Sequence, residues 1–104
     1  MRRYDLHQDA RDDIIDLVEY AGSYSESARD AITDALVDCF ERLEEHPYFG
    51  RARPELGRGL RSVPVNRLRV TVYYVATPEE DDRVLVVRVL HQERDVSEAD
   101  FEQD

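Results

Sequence analysis

The hydrophobic pattern of this chain changes from a helical period to a period of two at Pro47, and that change most constrains what it can fold into. Ahead of it, Ala10, Ile14, Leu17, Val18 and Ala21 recur at helical spacing, and so do Ala28, Ile32, Ala35, Leu36, Cys39, Phe40 and Leu43. Beyond it, "LRSVPV" and "RLRVTVYYVA" alternate with a period of two, the spacing of strands with one face covered. Two helices followed by a run of strands predict an α+β fold. At 104 residues the chain is the size of one domain, taken as 1–104.

Local signals set the expected boundaries. "RRYDLH" (2–7) alternates, with Tyr4 and Leu6 on one side, and predicts a short first strand. Asp9 is the expected cap of a helix over 9–22 that Gly22 ends. A second helix begins near Ser25–Ser27, where Ser27 with Asp30 has the form of a capping box, and Pro47 stops it. A short link between two amphipathic helices implies a hairpin. After the Gly- and Pro-rich loop "HPYFGRARPELGRG" come three strands. The first, 60–65, has Pro64 as the mark of an edge or a bulge. The second, 67–76, places Leu68, Val70, Val72 and Tyr74 on one face, with Arg67, Arg69, Thr71 and Tyr73 on the other. The third, "RVLVVRVLH" (83–91), is apolar on both faces and reads as central. The tail is polar, with Val96 and Phe101 available to dock. The expected architecture is β-α-α-β-β-β, a small antiparallel sheet with an N-terminal helix hairpin packed on one face.

Charge adds a second constraint. The net charge is -10, yet residues 47–75 hold six Arg against one acid. The flanking segments, 1–46 and 76–104, hold five Arg against thirteen acids and three against ten. A cationic strip inside an anionic chain calls for an anionic partner, external or internal, and Arg offers a planar fork for carboxylate or phosphate. Long-range attraction to bulk nucleic acid is opposed by the overall charge and screened beyond ~8 Å, so stand-alone DNA binding is not expected. No apolar run approaches the ~20 residues of a membrane span. No apolar leader precedes the first strand, and Cys39 is the only cysteine, which together predict a reducing cytoplasm. In "ALVDCFERL" that thiol reads as buried and structural. No metal and no cofactor is expected.

The order of elements, together with "HPYFGRARPEL", "GLRSVPVNRLRVTVYYV" and "VLVVRVLHQERD", resembles the ParE branch of the RelE/ParE toxins of type II toxin–antitoxin systems. The resemblance spans essentially the whole chain. It implies a compact toxin neutralised by a cognate antitoxin whose C-terminal segment wraps it, in a complex of heterotetrameric type. Members on the ParE side are linked to inhibition of DNA gyrase, and those on the RelE side cut mRNA in the ribosome.

Residues weigh on that choice. Cleavage by the RNA's own 2′-hydroxyl needs a general base, a general acid and cations for the phosphorane charge. The chain contains no Lys, which excludes the Lys base of RelE-like nucleases. A related pattern uses Glu as base, Arg as clamp and a C-terminal His–aromatic pair, and Glu55, Arg67 and His91 fall at suitable places for it. Gln92 stands where the aromatic would be, and the chain continues for thirteen residues past His91. The bland alternatives are that Glu55 pairs with a neighbouring Arg, that His91 is a hydrogen-bonded sheet-end residue, and that Arg94 pairs locally with Asp95. The resemblance therefore implies a gyrase poison acting by protein contact, with a ribosome-dependent endoribonuclease as the alternative and an inactive member as a further one. The surface expected to meet antitoxin or target comprises Arg58, Arg61, Arg67, Arg69, Tyr73, Arg88, His91 and Arg94. On this reading they form the open face and rim of the sheet, behind which the acidic helices pack.

Overall fold

The computed structural model describes residues 4–102. The elements are β1 (Tyr4–Leu6), α1 (Gln8–Gly22), α2 (Glu26–Glu45), β2 (Arg51–Ala52), β3 (Leu60–Val65), β4 (Val70–Thr77) and β5 (Arg83–His91), with short 3₁₀ turns at Asn66–Leu68, Pro78–Glu80 and Glu98–Phe101. Both helices begin one or two residues earlier than their acidic signals suggest. His7, not Asp9, caps α1, its Nδ1 accepting from the Asp9 amide at 3.1 Å. That leaves Asp9 in the first turn, where a carboxylate faces the positive end of the helix. Ser25 caps α2 by accepting from the Ala28 amide at 3.0 Å, in place of the expected Ser27–Asp30 box.

The five strands lie in the order β1-β5-β4-β3-β2. The sheet is mixed, not antiparallel throughout, because β1 runs parallel to β5, with Tyr4 opposite Val84 and Leu6 opposite Val86. A parallel pair needs a long crossover, and the chain between β1 and the rest of the sheet contains the whole helix hairpin. Tyr4 closes this arrangement by packing its ring on Phe40 of α2, with centroids 5.3 Å apart. The two-residue β2 was read as loop. It pairs only with Arg61 and Ser62 of β3, so Pro64 lies beyond it on the free edge, where its missing N–H costs nothing. The β3–β4 link also differs from expectation. Arg67 and Leu68 belong to the 3₁₀ turn and Arg69 has φ 58°, so neither arginine sits on a sheet face.

The strand β5 is covered on both sides, as its composition predicts. Its alternation, however, breaks at Val87, because the β4–β5 register jumps between Tyr73, opposite Arg88, and Tyr74, opposite Val86. Val84, Val86 and Val89 therefore face the helices, while Leu85, Val87 and Leu90 face the other way. Unbroken alternation would put Arg88 with Val84 and Val86, and His91 with Val87. The bulge undoes both groupings.

The sheet's second face is not open. A smaller apolar cluster of Leu56, Leu60, Tyr73, Val87 and Leu90 sits there, under the loop before β3 and under Val96 and Phe101 from the chain's end. Tyr73 is only 4% exposed and packs against Phe101 with ring centroids 4.9 Å apart, so it is a core residue rather than part of a surface.

On the helix side, Tyr74 is fully buried and its hydroxyl accepts from the Gly50 amide at 2.8 Å. A Cβ at Gly50 would lie 2.6 Å from that hydroxyl and 3.0 Å from the Ser62 carbonyl oxygen. Gly50→Ala is expected to lower stability by about 2 kcal/mol through overpacking, read as a lower urea midpoint; an unchanged midpoint would contradict this packing. Cys39 is buried, and desolvation pushes its thiol up to about 11. At pH 8 on the order of one thiol in a thousand is then ionised. The native chain should react with a disulfide reagent far more slowly than the urea-unfolded chain; equal rates would contradict the burial.

Candidate partner-binding surface

The residues singled out in the sequence do not converge on one place. Glu55 lies in the loop before β3, where Arg53 donates from Nε to its carboxylate at 2.8 Å and from Nη1 to Ser62 Oγ at 3.3 Å. The Arg53 hydrogen bond holds the Glu55 carboxyl below its ordinary value. A carboxylate stabilised in this way is a weak proton acceptor at neutral pH. Arg67 lies in the turn after β3, so a six-residue strand, ~20 Å long, runs between that loop and that turn. Arg67 touches Asp38 of α2 at 3.5 Å, in an exposed pair of the kind that contributes little. His91 ends β5 opposite Val70, and the next amide, of Gln92, donates to the Arg69 carbonyl at 2.8 Å. Arg69 and His91 are therefore neighbours at the sheet end. Gln92 is occupied there as well, donating to Asn66 Oδ1 at 3.0 Å and to the Val70 carbonyl at 3.1 Å.

Two of the expected surface cations are used inside the fold. Arg61 donates to the Gly50 carbonyl at 2.8 Å and the Tyr48 carbonyl at 3.3 Å, and its guanidinium lies 5.3 Å from the centre of the Tyr48 ring. It ties the end of the helix hairpin to β3. Arg88 makes a two-pronged contact with Asp13 of α1, at 2.8 and 3.0 Å, and donates to the Asp100 carbonyl at 3.0 Å. Asp13 also accepts from the Val89 amide at 3.0 Å. That amide needs a side-chain acceptor because β1 stops at Leu6, opposite Val86, and leaves the edge of β5 bare beyond it. Arg94 pairs with Asp100 rather than with its neighbour Asp95. Asp13, Arg53, Ser62 and Asp100 were not singled out from the sequence, since each acquires its role from a partner that no local pattern indicates.

What remains at the surface is a divided set of cations. Arg58 is exposed on the loop before β3, and Arg67, Arg69, His91 and Arg94 are exposed around the end of the sheet. Arg58 and Arg69 form no ion pair among the described residues, and exposed Arg51 lies near Glu55, whose carboxyl it helps to hold below its ordinary value. Beside the second group, a cleft of about 360 Å³ runs between α1 and the ends of β4 and β5. Leu17, Tyr20, Val70 and Leu90 make it apolar, Asp13, Asp16 and Arg94 place charge along it, and His91 adds a polar ring. Tyr20 is 65% exposed at its margin and its hydroxyl shares a hydrogen bond with that of Tyr24. A wide, open, apolar trough with charged margins suits an amphipathic segment of another protein. Among the described residues no cluster of His, Cys and carboxylates could hold a metal ion, and no helix is long and apolar enough to cross a membrane.

Comparison with known proteins identifies the family and the fold. The sequence profile of the family described as "ParE toxin of type II toxin-antitoxin system, parDE" matches residues 4–96. A chain in the solved structure "Chromosomal ParDE TA system from P. aeruginosa" superposes with a TM-score of 0.70 at 18% identity, over 89% of this chain and 98% of that one. No curated protein sequence is a match. The fold is shared with a chain of that toxin–antitoxin system, and the family profile spans every element from β1 to β5. The chain belongs to the ParE toxin family of type II toxin–antitoxin systems, a membership that implies a cognate antitoxin as its partner.

Proposed function

We propose that this toxin arrests growth by binding DNA gyrase through protein–protein contact in the cytoplasm, and that its antitoxin neutralises it within a toxin–antitoxin complex, by family likeness a heterotetramer. The observation that carries this reading is the separation of the alternative nuclease set. Glu55 is engaged by Arg53 in the loop before β3, whereas Arg67 and His91 belong to the far end of that strand. A general base and a cationic clamp on one phosphodiester must stand within hydrogen-bond reach of the same few atoms. The lack of Lys and the engagement of Gln92 in the fold weigh the same way.

The contact surface proposed is the exposed group Arg58, Arg67, Arg69, His91 and Arg94 together with the C-terminal segment that begins at Arg88. The cations suit an acidic antitoxin segment. In the free toxin they are left available for the target. Arg61 and Tyr73 are withdrawn from this surface, and Arg88 acts in it only by holding the segment that follows.

Pulse-labelling of DNA and protein synthesis, in the first minutes after the toxin is induced without its antitoxin, tests the reading. DNA synthesis should fall first. Glu55→Ala should retain full growth arrest, His91→Gln should weaken it without abolishing it, as one contact among several, and truncation after Arg94 should abolish it. An early fall in protein synthesis, with arrest lost in both substitutions while the fold persists, would establish the ribosome-dependent endoribonuclease instead.

A further inference from the structure

We propose that Asp13 is a positioning residue for the C-terminal strap, residues 94–101, and that the strap must hold its docked position for the toxin to engage its target. The inference rests on the contact-poison reading and deepens it. It starts from what the strap does in the fold. Val96 and Phe101 cover the apolar cluster on the sheet's second face, and Phe101 packs against Tyr73. Beyond the turn in which the Arg94 amide donates to the His91 carbonyl at 3.1 Å, the polar anchors of the strap among the described residues pass through Asp100. Its carboxylate pairs with Arg94 and accepts from the Ser97 amide at 2.9 Å, closing the 3₁₀ turn, while its carbonyl accepts from Arg88 at 3.0 Å.

Of these anchors only Arg88 ties the strap to the body of the fold, since Arg94 and Ser97 are part of the same short segment. Arg88 in turn is aimed by Asp13. The fork of two hydrogen bonds, from Nε and Nη2, fixes the plane of the guanidinium and with it the position of Nη1, which donates to the Asp100 carbonyl. The side chains of Arg88 and Asp13 are 17% and 15% exposed, so water competes weakly for either partner. Without the Asp13 charge, Arg88 loses the fork that fixes its plane, although Asp9 and Asp100 still lie near it, and the far end of the strap depends chiefly on the contacts of Val96 and Phe101. A residue on α1 thus sets, through Arg88, where a segment at the other end of the chain docks.

Two substitutions undo this coupling from opposite sides. Asp13→Asn keeps an acceptor for the Val89 amide but loses the charge that aims Arg88. Arg88→Lys keeps a cation beside Asp13 but loses the fork and the reach to Asp100. In limited digestion with trypsin, the fragment 95–104 is followed by mass spectrometry as a measure of undocking, with circular dichroism and a thermal melt on the same samples. Growth arrest on induction is measured in parallel. Loss of one charge-assisted hydrogen bond should raise fragment release on the order of tenfold in both variants, with the overall fold retained and growth arrest lost. Unchanged release, or a loosened strap with full growth arrest, overturns the proposal. If Asp13→Asn fails to fold, Arg88→Lys decides the matter by the same criteria. The chain truncated after Arg94 separates the two levels. If that chain still arrests growth, the contact reading of the C-terminal segment fails. If it is inactive while Asp13→Asn with a loosened strap is active, only the positioning role fails.

Discussion

The carboxylate of Asp13 meets three parts of the fold at once: the first helix that carries it, the central strand whose Val89 amide it accepts, and, through Arg88, the C-terminal segment. The need for it arises from a short first strand. Because β1 ends at Leu6, the outer edge of β5 is bare from Arg88 onward, and bare edge amides either take a side-chain acceptor or invite another chain. Asp13 satisfies one such amide and holds a guanidinium beside it. Breaking a half-buried pair of this kind by removing one partner costs more than forming it gains, since the remaining charge is left without compensation. The pair is therefore better viewed as a determinant of geometry than as a source of net stability.

The cationic strip has a mixed explanation. Arg53 and Arg61 are used to order the loop and hairpin around β2, whereas Arg58 and Arg69 stay exposed without an ion pair among the described residues. They are consistent with a partner that supplies the missing negative charge, as a cognate antitoxin segment does under the proposed function.

Much of the architecture was legible because it depends on periodicity. The two helices follow their apolar stripes, and Pro47 ends the second. The alternation in β4 correctly separates Val70, Val72 and Tyr74 from Tyr73. What failed has a common cause: information carried by distant pairing. The bulge at Val87 leaves no trace in a strand that is apolar on both faces. Arg88 finds its partner 75 residues earlier in the chain, and the parallel course of β1 is decided by β5 rather than by anything in "YDL". The second sheet face was taken as open because alternation reports which side a residue faces, not what covers it. Val96 and Phe101, noted only as able to dock, are part of that cover. For the candidate site the same limit applied more severely. Glu55, Arg67 and His91 are grouped in the sequence by their match to a Glu–Arg–His nuclease pattern, and the fold separates the first from the other two.

The central claim is that this ParE-family chain works by contact with gyrase and not by cutting RNA. Its most direct test is a supercoiling assay with purified gyrase, the purified toxin and the purified antitoxin, run beside programmed ribosomes given the same toxin. The account predicts that the toxin blocks supercoiling, that the antitoxin restores it, and that ribosome-bound mRNA stays intact. Unimpaired supercoiling at a molar excess of toxin, with mRNA cut in the ribosomal reaction, would contradict it.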